Sequence, residues 1–520
     1  MKKTFSLKWL SGNTLIIAVI ALFKFVLSMA FSGSYGYFRD ELYYIACSDH
    51  LDWGYVDQPP LSIFILKASR WLLGDSLPAV RFTSALAGAA VVFLAAMIVR
   101  KLGGGRFAQI TAACATFLSP IILVMAGTFF SMNAFDFLFW ALAFYVLILI
   151  IKENRPKLWP LFGLVAGLGL MNKYSILFLG IGLVAGLLLT KERKHLINKW
   201  FWAAAAIVLC IMLPHIIWQI SNGFPSLEFM QNARLYKNAP MSIGEFFFGQ
   251  LLFTGFGQAL IWMAGLCYFF FNKEGRKLLI FGLMYPIVFI VMLAGNAKVY
   301  YLSPIYTLYF AAGAVLLEKI FENRKWLGMT IATLILAPSL VLLPYAVPML
   351  PVETYLKYAE KIGISIDSGE NNTLGELPQH YADMFGWEEF AGKIAGIYNK
   401  LTLEEKEKCI IWVRNYGEAG AVDFFGKKYG LPKAYCGHNS YWYWADLDKE
   451  ISTVIFVSYS DNPAERLAEL KHRNWFESIE LAGVKECRYC MPHENGRPLF
   501  LCRGAKITIK QIWADEKSFI

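Results

Sequence analysis

Phe38–Leu61 reads FRDELYYIACSDHLDWGYVDQPPL. Five carboxylates, Asp40, Glu41, Asp49, Asp52 and Asp57, are interleaved with aromatic rings directly after the first long apolar run. An acidic connector held only by solvation has no need of the rings. An adjacent Asp-Glu pair, a Pro-Pro break and a further amphipathic run instead predict an active-site loop folded back onto a membrane surface. The competing reading is a solvated acidic loop.

The membrane is implied by the rest of the chain. Hydrophobic residues make up 57% of the 520 and charged residues only 17%, and apolar runs repeatedly reach the ~20 residues that cross ~30 Å of hydrocarbon. Eleven spans are expected, near 13–32, 79–99, 108–127, 133–151, 158–171, 174–190, 200–220, 243–271, 278–295, 301–318 and 326–347. The first run, Thr14 to Phe31, follows Lys2, Lys3 and Lys8 as a signal peptide would. Lys24 lies inside it, and Phe31-Ser-Gly-Ser-Tyr is a poor cleavage site, so it reads as a retained anchor. Lys and Arg cluster at 100–106, 152–157, 191–199, 273–277 and 319–325, all on the side of the amino terminus. That side is therefore cytoplasmic, and an odd number of spans puts everything after about Leu350 outside. The net charge of +10 is then a topology signal, with no basic, ring-studded patch for nucleic acid.

Two domains follow: residues 1–350 with the external loop 33–78, and a soluble extracytoplasmic α/β domain over 351–520. Within the loop, Ser62 to Leu73 has apolar residues at helical spacing and is too short to span, which suits the interface. In the second domain Cys409-Ile-Ile-Trp-Val and Thr453-Val-Ile-Phe-Val read as buried strands, each leading into a helix, Gly417–Tyr429 and Pro463–Arg473. Cys114, Cys210 and Cys267 fall in spans. Cys409, Cys436, Cys487, Cys490 and Cys502 fall outside, where disulfides, free thiols or a zinc site using Cys487, Cys490 and His493 are the alternatives.

Asp40 and Glu41 can take a proton from a hydroxyl or amine as it attacks an electrophile; helix capping by Asp40 is the alternative. Asp57, fixed in direction by Gln58-Pro59-Pro60, is a metal ligand, a hydrogen-bond acceptor for a sugar or a plain loop acid. Lys173 ends a span of only ~14 residues, about 21 Å long, so it is expected below the outer surface, where ionisable groups mark function. Lys298, Arg81 and Arg234 lie on the same side, and several cations together suit a phosphate, whereas singly each suits an interface anchor. Asn133 and Asp136 mark the outer turn before the fourth span. Asp136 must face the bundle, and Asn133 is a second candidate helix cap.

Arg39-Asp-Glu-Leu-Tyr-Tyr, Leu51-Asp-Trp-Gly-Tyr-Val-Asp-Gln-Pro-Pro-Leu and Gly74-Asp-Ser-Leu-Pro-Ala-Val-Arg-Phe-Thr-Ser-Ala-Leu, supported by Leu168–Tyr174 and Lys298–Pro304, resemble the membrane glycosyltransferases with the C-type fold. These form the superfamily of protein O-mannosyltransferases and lipid A aminoarabinose transferases, and the resemblance covers about Phe25 to Leu350. It implies inverting transfer of a hexosyl or pentosyl group from a polyprenyl-phosphate carrier to a protein, lipid or glycan acceptor on the non-cytoplasmic face of the cell membrane. The base falls on Asp40 beside Glu41. Donor phosphate falls on Lys173 and Lys298 with Arg81 and Arg234, and sugar or acceptor contacts on Asp57, Gln58, Asn133, Asp136, Tyr300 and Tyr301. No cofactor is implied with certainty; a divalent metal on Asp57 is the open alternative. Two positions depart from the pattern: Asn133 stands where relatives often carry Asp, and Gln58 where they commonly carry His or Lys. A secondary transporter and a lipid-carrier binding protein are the alternatives from other classes. The domain beyond 351 lacks both the acidic loop and the cationic cluster, so it is expected to shape acceptor access. Its Tyr441-Trp-Tyr-Trp444 run would stack on a sugar, lean on the membrane or form a buried cluster.

Overall fold

A chain in lipid must satisfy every backbone N–H and C=O internally, so long apolar runs close into helices. The computed structural model describes residues 12–238, 240–363, 373–460 and 462–520; Lys2, Lys3 and Lys8 lie outside them. Among the described residues five helices are long and apolar enough to cross a membrane: Leu77–Leu102, Met132–Ile151, Lys199–Ser221, Gly275–Ala294 and Val299–Ile320. Two bent pairs bring the number to seven, and Thr14–Ala30, Ile176–Leu188 and Lys325–Val341 are shorter apolar helices.

The runs 108–127 and 243–271, expected as single spans, are broken. Arg106–Phe117 and Pro120–Thr128 meet at 65°, and Ile243–Thr254 and Phe256–Phe271 at 111°. Pro120 cannot donate to the turn before it, and Gly255 takes a left-handed φ of 91°. Carbonyls freed where these helices break or kink are met by the protein's own side chains. Ser119 Oγ at the first break donates to the Thr254 carbonyl at the second over 3.1 Å. Ala126 leaves helical geometry (φ −124°, ψ 40°), and its carbonyl accepts from the buried Lys24 Nζ at 2.8 Å. The lysine that interrupts the first apolar run thus caps a broken helix.

Contacts divide the chain into two units. One comprises the chain up to Ser34 with Leu72–Trp218 and Asn238–Pro351, and is helical. Here Phe256–Phe271 and Tyr306–Ile320 cross on facing glycines: a methyl group on Gly313 would overlap the Ile261 carbonyl, and one on Gly265 that of Tyr309. Small residues let helices approach this closely where no hydrophobic effect drives association.

The other unit joins Tyr35–Trp71 and Gln219–Lys237 to Val352–Ile520, so the acidic loop packs with the C-terminal residues. Its five-stranded sheet, ordered β2-β1-β3-β5-β4, contains β1 (Cys409–Trp412), β2 (Ala434–Tyr435), β3 (Thr453–Val457), β4 (Phe476–Lys485) and β5 (Arg497–Ala505). β1 runs parallel to β2 and β3, while β5 is antiparallel to β3 and β4. The two expected βα units are present, with helices Tyr416–Phe425 and Pro463–Arg473. The aromatic run is a structural cluster: Tyr441 is buried, and Trp442 and Trp513 exchange indole-to-carbonyl hydrogen bonds at 3.2 and 3.0 Å. All nine cysteines are free thiols.

Replacing Gly313 with Val should cost about 1–3 kcal/mol through overpacking. A thermal unfolding series in detergent, with Gly180→Val (open space around its Cβ position) as the comparison, should show the larger loss of melting temperature at 313.

Candidate active site

Helix Arg39–Asp49 begins at Phe38, whose amide donates to Glu41 Oε2 at 2.8 Å. Glu41 is fully buried. The capping role that the sequence left open for Asp40 therefore falls to its neighbour. Asp40 is part-exposed, and its Oδ1 accepts a 2.9 Å hydrogen bond from the Tyr416 hydroxyl. Tyr416 opens helix Tyr416–Phe425 after β1.

The second carboxylate sits among tyrosines as well. Tyr43 Oη donates to Asp57 Oδ1 at 2.8 Å and lies 2.9 Å from Ser440 Oγ. Ser440 in turn accepts from the Val56 amide at 3.1 Å, which fixes the loop entering Pro59-Pro60. The Tyr43 and Tyr416 rings are 4.8 Å apart, and the Arg39 guanidinium is 4.7 Å from the Tyr416 centroid. Burial pushes the Asp57 carboxyl up to about 6, against the pull of the Tyr43 hydrogen bond, and the charge on Asp40 adds to the rise. Burial likewise drives the Tyr416 phenol well above its ordinary value, so it stays a donor. Gln58 is fully buried, and neither side-chain amide atom has a hydrogen-bond partner among the described residues.

The metal alternative for Asp57 does not fit this donor set. The side-chain partner of the carboxylate is the Tyr43 hydroxyl, and the described residues hold no group of three or more His, Cys, Asp or Glu able to bind an ion. The same holds for Cys487, Cys490 and His493.

The helical unit gathers a cationic and aromatic centre. Lys173, at the C-cap of Trp159–Asn172, donates to Asn133 Oδ1 at 2.6 Å, and its Nζ is 3.7 Å from Asp136 Oδ2. Ser131, not Asn133, caps helix Met132–Ile151 by accepting the Asn133 amide at 3.2 Å. Asp136 is buried and accepts from Ser175 Oγ. The Lys173 ammonium lies 4.7 Å from the Tyr301 ring and 5.4 Å from that of Tyr300. Both tyrosines belong to the short helix Val299–Ile305, which Lys298 precedes as N-cap residue. Lys173, Asn133, Asp136, Tyr300 and Tyr301 thus share one site.

Arg81 is fully buried and donates to the Ser32 carbonyl at 2.8 Å, anchoring the chain beyond the first helix. Arg234 is exposed in the turn Ala233–Lys237 of the other unit.

Sequence reasoning missed Tyr416 and Ser440. Both lie in segments that follow parallel strands, β1 and β2. Open α/β sheets place ligand-handling groups beyond the carboxyl ends of such strands. That signal was available in the Cys409–Val413 strand, but nothing in the sequence pairs position 416 with position 40. Tyr174, whose hydroxyl is 2.7 Å from Nε2 of the buried His215, was also missed.

Residues 57–218 match the family described as dolichyl-phosphate-mannose-protein mannosyltransferase. A lipid A galacturonosyltransferase of Rhizobium johnstonii is 22% identical over 316 residues, 60% of this chain and 66% of that protein. The undecaprenyl phosphate-alpha-4-amino-4-deoxy-L-arabinose arabinosyl transferase of Pectobacterium carotovorum is 24% identical over 211 residues, 38% of each chain. The match thus spans less than two thirds of either relative. Among solved structures, ArnT from Cupriavidus metallidurans in the apo state superposes with a TM-score of 0.63 at 15% identity, covering 94% of this chain and 98% of that one. The same protein bound to undecaprenyl phosphate gives 0.59 at 14% identity, over 95% and 98%. Along nearly its whole length the chain thus has the fold of ArnT, and within that fold residues 57–218 match the dolichyl-phosphate-mannose-protein mannosyltransferase family.

Proposed function

We propose that this protein transfers a monosaccharide from a polyprenyl-phosphate carrier to an acceptor hydroxyl or amine, with inversion, on the non-cytoplasmic face of the inner membrane. The chain crosses eleven times, the amino terminus is cytoplasmic, and Val352–Ile520 lies outside. The observation that carries the reading is the part-exposed Asp40 carboxylate, held through one oxygen by Tyr416. The acceptor gives its proton to Asp40 as its oxygen or nitrogen attacks the anomeric carbon. The bond from that carbon to phosphate breaks, and polyprenyl phosphate leaves with the electron pair. Lys173, with Lys298 beside it in the reading, meets the phosphate charge, while Asn133 and Asp136 hold the lysine in place. Asp57 and Gln58 serve the sugar or the acceptor. The carrier class also follows the relatives, one of which uses an undecaprenyl-phosphate sugar by name.

Broken helices are a feature of transporters, where the freed backbone faces substrate at mid-membrane. In this chain the Thr254 carbonyl at the second break is met by Ser119 and the Ala126 carbonyl at the kink beyond the first by Lys24, which favours the transferase.

Asp40→Asn keeps the shape and removes the base. Turnover should fall by at least ~10²-fold with donor binding retained, measured on purified protein with a radiolabelled carrier lipid. Wild-type turnover in this variant would end the reading. For Lys173→Met, loss of a charged hydrogen bond worth about 1.5–3 kcal/mol should weaken carrier-phosphate binding roughly ten- to hundredfold.

Asp57 makes a prediction about pH. Its folded value near 6 exceeds the ordinary 3.8, so between these values the native protein holds a proton that the unfolded chain has released. Its contribution to stability therefore falls as pH rises from about 4 to 6. Asp57→Asn removes that contribution, so its melting temperature should gain on the wild type across this window and then run parallel to it. A constant difference from pH 4 to 7 would contradict the assignment.

A further inference from the structure

We propose that the C-terminal unit takes part in the transfer itself, through Tyr416 as the residue that positions Asp40. This replaces the expectation that residues beyond 351 only shape acceptor access, and it rests on the reading of Asp40 as the base.

The geometry is that of a built support. The Tyr416 ring is 8% exposed and is held on several sides. The Tyr43 ring lies at 4.8 Å, the His438 ring at 4.7 Å and the Arg39 guanidinium at 4.7 Å. A phenol so confined keeps its hydroxyl at one place. It takes Oδ1 of Asp40, while Oδ2 has no hydrogen-bond partner among the described residues. One carboxylate oxygen is thereby fixed and the other left for the acceptor's proton.

The helix that carries Tyr416 is itself pinned. Asn415 Oδ1 accepts from the amides of Gly417 and Glu418 at 3.0 and 3.1 Å, and its Nδ2 donates to Glu494 at 2.9 Å. Arg414 and Lys485 both pair with Glu418 and Glu494, all four being buried. Removing one member of such a network leaves a buried charge unmatched, so it resists displacement. The neighbouring helix can come close because Gly417 and Gly420 face it. A Cβ at 417 would fall 2.6 Å from Arg39 Cγ, and one at 420 would fall 2.8 Å from the Leu42 carbonyl carbon. The first turns of two helices, one from the loop after the first span and one from the sheet, thus meet with Asp40 and Tyr416 in register.

A hydrogen bond donated to a carboxylate favours its charged form. Removing it should move the acid limb of kcat/KM upward, a readout that a purely structural tyrosine would not change. Arg39, Asp57, Lys237, His438, Asp383 and Glu494 also bear on the charges here, and Tyr416→Phe leaves every one in place.

The test measures kcat, KM for the carrier lipid and the pH dependence of kcat/KM on purified full-length protein. Tyr416→Phe should lower kcat about ten- to hundredfold with KM for the donor unchanged. The acid limb of kcat/KM should move up by about one to two pH units. Incorporation of 3-fluorotyrosine at 416, a stronger donor of the same shape, should move the limb the other way and covers the case in which the phenylalanine variant folds poorly. A wild-type kcat and an unmoved limb in either folded variant overturns the proposal. Asp40→Asn is assayed beside them. If that variant turns over normally, the base assignment has failed; if it is dead while the Tyr416 variants behave as wild type, only the positioning role has failed.

Discussion

Gly417 and Gly420 impose the constraint on which the acid site depends. Any side chain at either position would occupy the space that Arg39 and the Leu42 backbone fill. Without that close approach the first turn of Arg39–Asp49 would not lie beside Tyr416, and Asp40 would be an ordinary acid at a helix start. The division of labour between adjacent carboxylates follows from the same placement. Glu41, fully buried, satisfies the orphan amide of Phe38, which leaves Asp40 available for a hydroxyl partner and for chemistry.

The helical unit answers a different demand. Apolar surroundings give a broken helix no water to satisfy its open carbonyls, yet the chain breaks two helices sharply. Lys24 and Ser119 supply the missing donors. A lysine and a serine that look misplaced in apolar runs are there because the backbone elsewhere needs them. Lys173 shows the reverse logic. Its ammonium is held by an amide, a carboxylate and two aromatic rings, a setting that keeps the charge in place at the end of a short helix.

The two carboxylates of the loop are separated by environment. Asp57 is bonded by the buried Tyr43 and holds its proton to about pH 6; Asp40 has a guanidinium-backed phenol on one oxygen, and its second oxygen has no hydrogen-bond partner among the described residues. Carboxylates that differ in this way can take different roles in one site.

Much of this was legible in the sequence. Hydropathy and run length gave the helical unit, and the continuous apolar runs at 409 and 453 gave β1, β3 and the helices after them. β4 was not foreseen, because it lies at the sheet edge with mostly exposed or half-buried residues and shows no apolar run; β5, which was also not foreseen, does carry one in Leu499-Phe-Leu-Cys502. The breaks at Pro120 and Gly255 were hidden inside runs whose hydropathy is uninterrupted, since hydropathy records composition and not direction. Residue chemistry alone singled out Lys173 and Asp136 as groups too costly to leave without a purpose within a membrane, Asp40 as a candidate base and Asp57 as an acid held by Pro59-Pro60. What it could not supply was the partner of each. Capping passed from Asp40 to Glu41 and from Asn133 to Ser131, and Arg81 turned to a backbone carbonyl. Above all, Tyr416 reached Asp40 across 376 positions of chain. A side chain's type fixes what it can donate or accept; only the packing of helices on glycines, which sets which first turns lie together, decides the group it meets.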